Sequence, residues 1–401
     1  MKSLLRSFLV VVLLAGYQFG FAQDAAAPAE EPKEEEKKFS FGGSVDSYFH
    51  SSFGVENTVG GFQPNAPTTS FANLKGFGIG MVNLIASYQG EKAGFVADVV
   101  FGPRGSDAVF NSGGYGNLTG AGSGQIVNQL YTYYKFSDAF TLNLGQFNTF
   151  VGYEVISPTV NVNYSTSYLF SNGPFSHTGL RADFSFGEGF VAKAAIMNPT
   201  DFLEFNPVNT YTLGAQLGKT SDAGGIWLNF IYGDQNGKLT EEDNQIGDES
   251  AGALFQVDLT GGYSLGDKFY LGFNASYQTI GEGEVFDDTD GIVGDGADAT
   301  SFLGFAIYPK VTLSESFALG LRGEYFSVTK NHLLASPISV DDEGNGNVIA
   351  FTLSGNYKVG GFTFIPEVRM DKMSENTQYV NKDGDAKDLM PTLTLAAVYK
   401  F

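Results

Sequence analysis

An all-β transmembrane antiparallel barrel of about sixteen strands is the fold class this sequence predicts. Three observations carry that expectation. Segments of roughly ten residues alternate in polarity from Phe39 to the last residue, as strands with two unlike faces do. The connections between them alternate between short and long. Aromatic residues gather beside the short connections, where rings settle at a membrane–water boundary.

The chain opens with MKSLLRSFLVVVLLAGYQFGFAQ, which has the three parts of a secretory signal. Lys2 and Arg6 form the basic start, FLVVVLLA the apolar run, and Gly20-Phe21-Ala22 the small-residue cleavage site. Residues 1–22 are therefore expected to be a signal peptide. A membrane anchor is the competing reading, but the apolar run is too short to span a bilayer as a helix. Residues 23–38, DAAAPAEEPKEEEKK after the first Gln, are rich in Ala, Pro, Glu and Lys. They cannot bury enough apolar surface to offset ordering, so an acidic periplasmic tether is expected. Residues 39–401 form the barrel.

Composition narrows the classes further. Formal charge is −21 and drops further once Lys2 and Arg6 are removed, which argues against nucleic acid as a partner. Cys is absent, so disulfides contribute nothing even in an oxidising compartment. With 52 Gly, 37 Phe and 20 Tyr, the composition suits a long twisted sheet better than a typical globular domain.

Representative strands are ALFQVDLTGGYSL (253–265), KFYLGFNASYQTI (268–280), FALGLRGEYFSV (317–328) and AFTLSGNYKV (350–359). In the first, Phe255, Val257, Leu259 and Tyr263 share one face, and Gln256, Asp258, Thr260 and Ser264 the other. Short turns are expected at Gly90–Lys92, Ser137–Ala139, Gly187–Gly189, Ser221–Gly224, Gly266–Lys268, Ser314–Ser316 and Gly360–Gly361. Long loops are expected at 51–75, 102–125, 148–176, 198–209, 234–250, 280–299, 330–346 and 374–388. Short periplasmic turns and long extracellular loops mark outer-membrane barrels, and closure removes the sheet edges that lipid cannot tolerate. Phe95, Phe140, Phe190, Trp227, Phe269, Phe317 and Phe362 follow the turns, while Tyr88, Phe136, Phe186, Tyr263 and Tyr357 precede them. All are assigned to the aromatic girdle.

If the apolar faces meet lipid, the opposite faces meet the lumen. The candidate pore-lining residues are Asp46, Asp98, Arg181, Asp183, Asp258, Arg322, Glu324, Glu367, Arg369 and Asp371. Both signs occur, and burial without water would be costly unless every group were paired, so a wet interior is expected. Scaffolding by ion pairs is the alternative role for any one of them.

Loop 148–176 differs from the other loops. Its only charge is Glu154, and it holds Phe150, Tyr153, Tyr164, Tyr168, Phe170 and Phe175. An aqueous loop has no reason to be so apolar. It is the candidate constriction, folding inward with Tyr153, Glu154, Tyr164 and Tyr168; packing at a subunit interface or over the mouth is the alternative. Loops 234–250 and 280–299 are acidic and should concentrate cations at the mouth. The DDTDG stretch invites a Ca²⁺ reading, but its ligand spacing is incomplete and no helices flank it, so no metal site is assigned. No cofactor is expected. With three His, no Cys and no nucleophile elbow, catalysis is not expected either, although Ser176 beside His177 suggests a dyad by adjacency alone.

Residues 128–184 contain GQFNTFVGYEV and NYSTSYLFSNGPFSHTG, followed by MNPTDF at 197–202, and GGSVDSYF stands near the first strand. These segments resemble the OmpL-like β-barrel porin family over essentially all of 39–401. The resemblance implies outer-membrane residence and passive diffusion of solutes, without a substrate or an oligomeric state. The expected function is a porin for small hydrophilic solutes, mildly cation-leaning. A structural or surface-interaction barrel, whose acidic loops meet divalent ions, lipopolysaccharide or a partner protein, is the alternative; a channel for hydrophobic substrates is a third. Expected partners are outer-membrane lipids and lipopolysaccharide, the barrel assembly machinery and small solutes, with a homotrimer as the candidate assembly. The closing segment PTLTLAAVYKF should pair with the first strand. Tyr399 and Phe401 resemble the terminal signal that the assembly machinery recognises.

Overall fold

The computed structural model describes residues 39–57, 67–109, 126–206, 210–235, 253–281, 283–287, 291–297, 299–332 and 338–401. The segments expected to be a signal peptide and a tether, and most of the acidic loop 234–250, lie outside them. The strands of the barrel are β1 (Phe39–Ser52), β2 (Gly76–Gln89), β3 (Ala93–Phe101), β4 (Val127–Ser137), β5 (Phe140–Asn148), β6 (Ser176–Gly187), β7 (Phe190–Met197) and β8 (Thr212–Ser221). They continue with β9 (Gly224–Gly233), β10 (Leu254–Ser264), β11 (Phe269–Ile280), β12 (Thr300–Ser314), β13 (Phe317–Thr329), β14 (Gly346–Val359), β15 (Phe362–Met373) and β16 (Leu389–Lys400). Each pairs with its neighbours in sequence, antiparallel, and β1 closes on β16, giving sixteen strands in one closed barrel. At the seam Ser44 faces Lys400 and Ser52 faces Thr392. Gly43 and Phe401 exchange backbone hydrogen bonds of 3.1 and 3.0 Å, so pairing runs to the last residue.

Alternation places the side chains as a two-faced strand requires. Along β13, Leu321 and Tyr325 point outward and are exposed, while Arg322 and Glu324 between them point inward and are buried. Along β15, Glu367, Arg369 and Asp371 form an inward row, with Val368 and Met370 outside. Proline has no N–H to give to a ladder. Accordingly, the β12–β13 pairing breaks between Ile307 and Lys310, around Pro309. The β14–β15 pairing breaks between Glu367 and Phe364, around Pro366.

The short-turn ends of the strands carry exposed rings, among them Phe136, Phe186, Phe190 and Tyr357. Trp227 departs from this pattern. It was expected in the girdle but is buried inside the wall, on the inward side of β9 with Asn229 and Ile231. The run GGIWLNFIYG is apolar on both faces, so alternation could not say which face was inside. The loops also hold local structure that periodicity missed. Helix α1 (Pro103–Ala108) follows β3 and helix α2 (Tyr168–Asn172) lies in the third loop. Short pairs join Val55–Asn57 to Tyr379–Asn381 and Gly283–Asp287 to Gly291–Ala297.

The apolar core lies inside the barrel. Loop residues Tyr153, Tyr168 and Leu169 pack with Phe302, Tyr308 and Phe326 of the wall. Tyr164 packs with Tyr48, Ile365 and Ala396. Inside the barrel the third loop packs against the wall formed by β11–β16 and β1.

Candidate functional site: the inward loop and the space beside it

Residues 149–175 leave β5, cross the lumen and return to β6. A buried chain segment must find partners for its backbone groups, since each unmet N–H or C=O costs free energy. Several of those partners are charged side chains of the wall. The Glu367 carboxylate accepts from the N–H of Tyr164 at 2.7 Å and of Ser165 at 3.1 Å. Glu324 accepts from the N–H of Tyr168 at 3.1 Å and of Leu169 at 2.8 Å, where α2 begins. Asp258 accepts from Gly152 N–H at 3.0 Å.

Carbonyls of the loop are met by guanidinium groups. Arg322 donates to Ser165 O at 2.6 Å, and Arg369 to Thr166 O at 2.8 Å. Arg104, on α1, donates to Ile156 O at 3.0 Å and Tyr164 O at 2.9 Å, and lies between the rings of Phe71 and Tyr164. Fixed charge in a dry interior is stable only when paired and hydrogen-bonded. Here Arg322 meets Glu154 at 2.8 Å, and Arg369 grips Asp371 through two nitrogens at 2.7 and 2.9 Å.

Side chains complete the docking. Tyr164 Oη donates to Asp46 at 2.5 Å and Tyr168 Oη to Asp371 at 2.8 Å. Burial pushes both phenols well above their ordinary range, so they remain donors. Tyr153 stacks on Tyr308 with ring centroids 4.2 Å apart. Ser167 caps α2, accepting from Phe170 N–H at 3.0 Å while donating to Glu154. The wall leaves room for this contact: a Cβ on Gly320 would stand 2.0 Å from Val162, and one on Gly304 2.3 Å from Leu169. At the base, Asp201 accepts from the N–H of Phe175 and of Ser176, each at 2.9 Å, and burial raises its carboxyl to about 7.

Of the ten wall residues singled out from sequence, Asp46, Arg322, Glu324, Glu367, Arg369 and Asp371 lie beneath the loop and are bound to it or to each other. Asp98 is held by Asn83, Asn128 and Gln129, and Asp258 by Asn229 and Asn274 as well as by the loop. Arg181 and Asp183 border the space that the loop leaves open. All four loop residues, Tyr153, Glu154, Tyr164 and Tyr168, are buried. Sequence reading missed Arg104, Tyr308, Lys193 and the inward Trp227. Arg104 sits in a loop segment with no periodicity to give it a direction.

The open space is a cavity of about 270 Å³ between the loop and the β4–β9 wall, reaching the short turns at Asp138–Thr141 and Ser185. Its sides carry Gln129, Tyr131, Arg181, Asp183, Lys193 and Trp227. Arg181 pairs with Asp183 at 2.9 Å and lies over the Phe147 ring, while Lys193 donates to Gln216 at 2.6 Å.

The adjacent Ser176 and His177 do not form a dyad. His177 turns to Thr149 Oγ1 at 2.9 Å and not to Ser176. Among the described residues, no cluster of three or more His, Asp or Glu is placed to hold a metal ion. The DDTDG stretch lies largely outside those residues.

A family model described as beta-barrel porin-2, OmpL-like, matches residues 38–401, the entire barrel. The chain belongs to the OmpL-like β-barrel porin family. It is an outer-membrane β-barrel of the Gram-negative type. No curated relative matches it in sequence. Solved structures with a similar fold include the outer membrane channel DcaP of Acinetobacter baumannii, at 12% identity and a TM-score of 0.57, covering 90% of this chain and 97% of that one. The anion-selective porin from Comamonas acidovorans is similar at 10% identity and a TM-score of 0.56, covering 90% and 99%. Salmonella typhi OmpF, solved with daunomycin, is similar at 12% identity and a TM-score of 0.55, covering 90% and 97%. At these identities the likeness is one of fold.

Proposed function

We propose that this OmpL-like porin passes small hydrophilic solutes by passive diffusion, with loop 148–176 narrowing the lumen to a passage along the β4–β9 wall. The observation that carries the reading is the asymmetry of the interior. Wall charges on β10, β13 and β15 hold the loop by its backbone and Asp46 on β1 holds it by the Tyr164 hydroxyl, whereas the β4–β9 wall keeps a polar cavity open to the short-turn end. A mild cation preference follows from the acidic long-loop end. Asp341, Asp342, Glu343, Asp383 and Asp385 are exposed there and would raise the local cation concentration. As partners the reading takes lipid around the apolar outer face, the assembly machinery at the closing strand and a homotrimer as the assembly; Vibrio cholerae OmpT, also similar in fold, has been solved in a trimer form.

Purified protein in a planar bilayer should give discrete conductance steps, and a salt gradient should give a reversal potential on the cation side. The density of loop anchoring favours a second reading, a closed structural or surface-interaction barrel. That reading requires the absence of steps.

A further inference from the structure

Three side chains of neighbouring strands meet on the open wall. Asp183 of β6 lies directly opposite Lys193 of β7, and Lys193 in turn lies directly opposite Gln216 of β8. Arg181, two residues from Asp183 on the same face, binds its carboxylate through Nε and Nη2, both at 2.9 Å. Asn143 donates to the same carboxylate at 2.9 Å. Asp183 is thus held by Arg181 and Asn143, and Arg181 is turned toward it. Lys193 is different. Its ammonium has three N–H donors, and its hydrogen bond among the described residues goes to Gln216 at 2.6 Å. The cluster Arg181, Asp183 and Lys193 carries one net positive charge. Glu154, which also borders the cavity, is neutralised by Arg322, and Asp138 lies at the short-turn mouth.

Beside this charge stands an aromatic surface. Trp227 lies directly opposite Gly218 on β8. A Cβ on Gly218 would come within 2.3 Å of the indole, and one on Gly225 within 2.2 Å, so the ring lies flat against bare backbone. Tyr131 and Phe150 line the same space. An ammonium with N–H groups beyond its bond to Gln216, next to flat apolar faces, suits a small monoanion with an apolar body. A cavity of about 270 Å³ restricts that body to a small molecule.

We infer that this cavity is a binding site for small organic carboxylates, with Lys193 as the carboxylate donor, Arg181 supporting the field and Trp227 packing against the body. The site rests on the porin reading for its role: it sits in the passage and selects among solutes there, opposing the cation bias of the rim. Binding itself needs no conduction.

Trp227 is the only tryptophan of the chain, so its fluorescence reports the site directly. Full-length protein folded in detergent is titrated with benzoate, with the neutral benzamide and with inorganic phosphate, exciting at the red edge of the indole band. Benzoate is expected to change the emission saturably, and the other two at least tenfold more weakly. Lys193→Gln should weaken benzoate about tenfold, the effect of losing one charge-assisted hydrogen bond, without altering benzamide. Lys193→Arg should retain binding, and heat-modifiable migration of each variant shows that its barrel is closed. An equal response to benzoate and benzamide, a phosphate response matching benzoate, or unaltered benzoate binding in a closed Lys193→Gln barrel overturns the inference. Saturable benzoate binding by a protein that gives no conductance steps overturns the porin reading while the site stands.

Discussion

Arg322 of the wall and Glu154 of the third loop meet at 2.8 Å with both side chains withdrawn from solvent. The pair joins the loop's single charge to a strand far away in sequence. Removing one member leaves the other buried and uncompensated, at a cost of about 3–5 kcal/mol. Arg322→Met alone, or Glu154→Gln alone, is expected to loosen the loop and give noisier, larger conductance steps. The double substitution should restore quieter channels, because neither charge is then stranded. Equal noise in single and double variants would show that the pair does not hold the loop.

Gly320 offers a purely steric test. Its missing Cβ leaves the space that Val162 fills, and a side chain there would collide at 2.0 Å. Gly320→Phe should displace the loop and raise conductance while heat-modifiable migration stays that of a closed barrel. Unchanged conductance in a folded variant would place the loop's hold elsewhere.

Asp201 gives the loop base a dependence on pH. Its carboxyl is raised to about 7 from an ordinary value of 3.8, by burial first and against two backbone donors. A raised folded value means that the docked form holds a proton which the released form gives up. The stabilisation is complete below the ordinary carboxylate range and is lost as pH rises through about 7. Protease nicking between 149 and 175 should therefore be slower at pH 5.5 than at pH 8. Asp201→Asn, which keeps an acceptor, should flatten that difference; a variant with the parental slope would remove Asp201 from the explanation.

Phe401 exchanges two backbone hydrogen bonds with Gly43 at the seam. Deleting it removes both and leaves β1 without its terminal partner. Insertion into outer membrane, followed by the heat-modifiable fraction, is expected to fall. A normal fraction would mean that the seam closes without its last residue.

Much of this molecule could be read from the chain, for a physical reason. A strand with one face in lipid and one face inside writes its direction into every second residue, as Leu321, Arg322 and Glu324 show. Turn positions followed from the same pattern. Where a strand is apolar on both faces the rule is silent, and Trp227 was placed on the wrong side. The loop was conspicuous by its composition, but the reason for the wall charges was not legible. Glu324 and Glu367 accept main-chain N–H groups, and no sequence pattern marks an acceptor for a backbone more than 150 residues away. The small helices α1 and α2 are shorter than any periodicity can register.

Single-channel conductance of the chain lacking residues 155–170, compared with the intact chain, tests the constriction most directly. Without the loop, Asp46, Glu324, Glu367 and Asp371 face water together with Arg322 and Arg369. A severalfold rise in conductance is expected, with the barrel still closed. Equal conductance from the two proteins would contradict the inward loop as the element that narrows this channel.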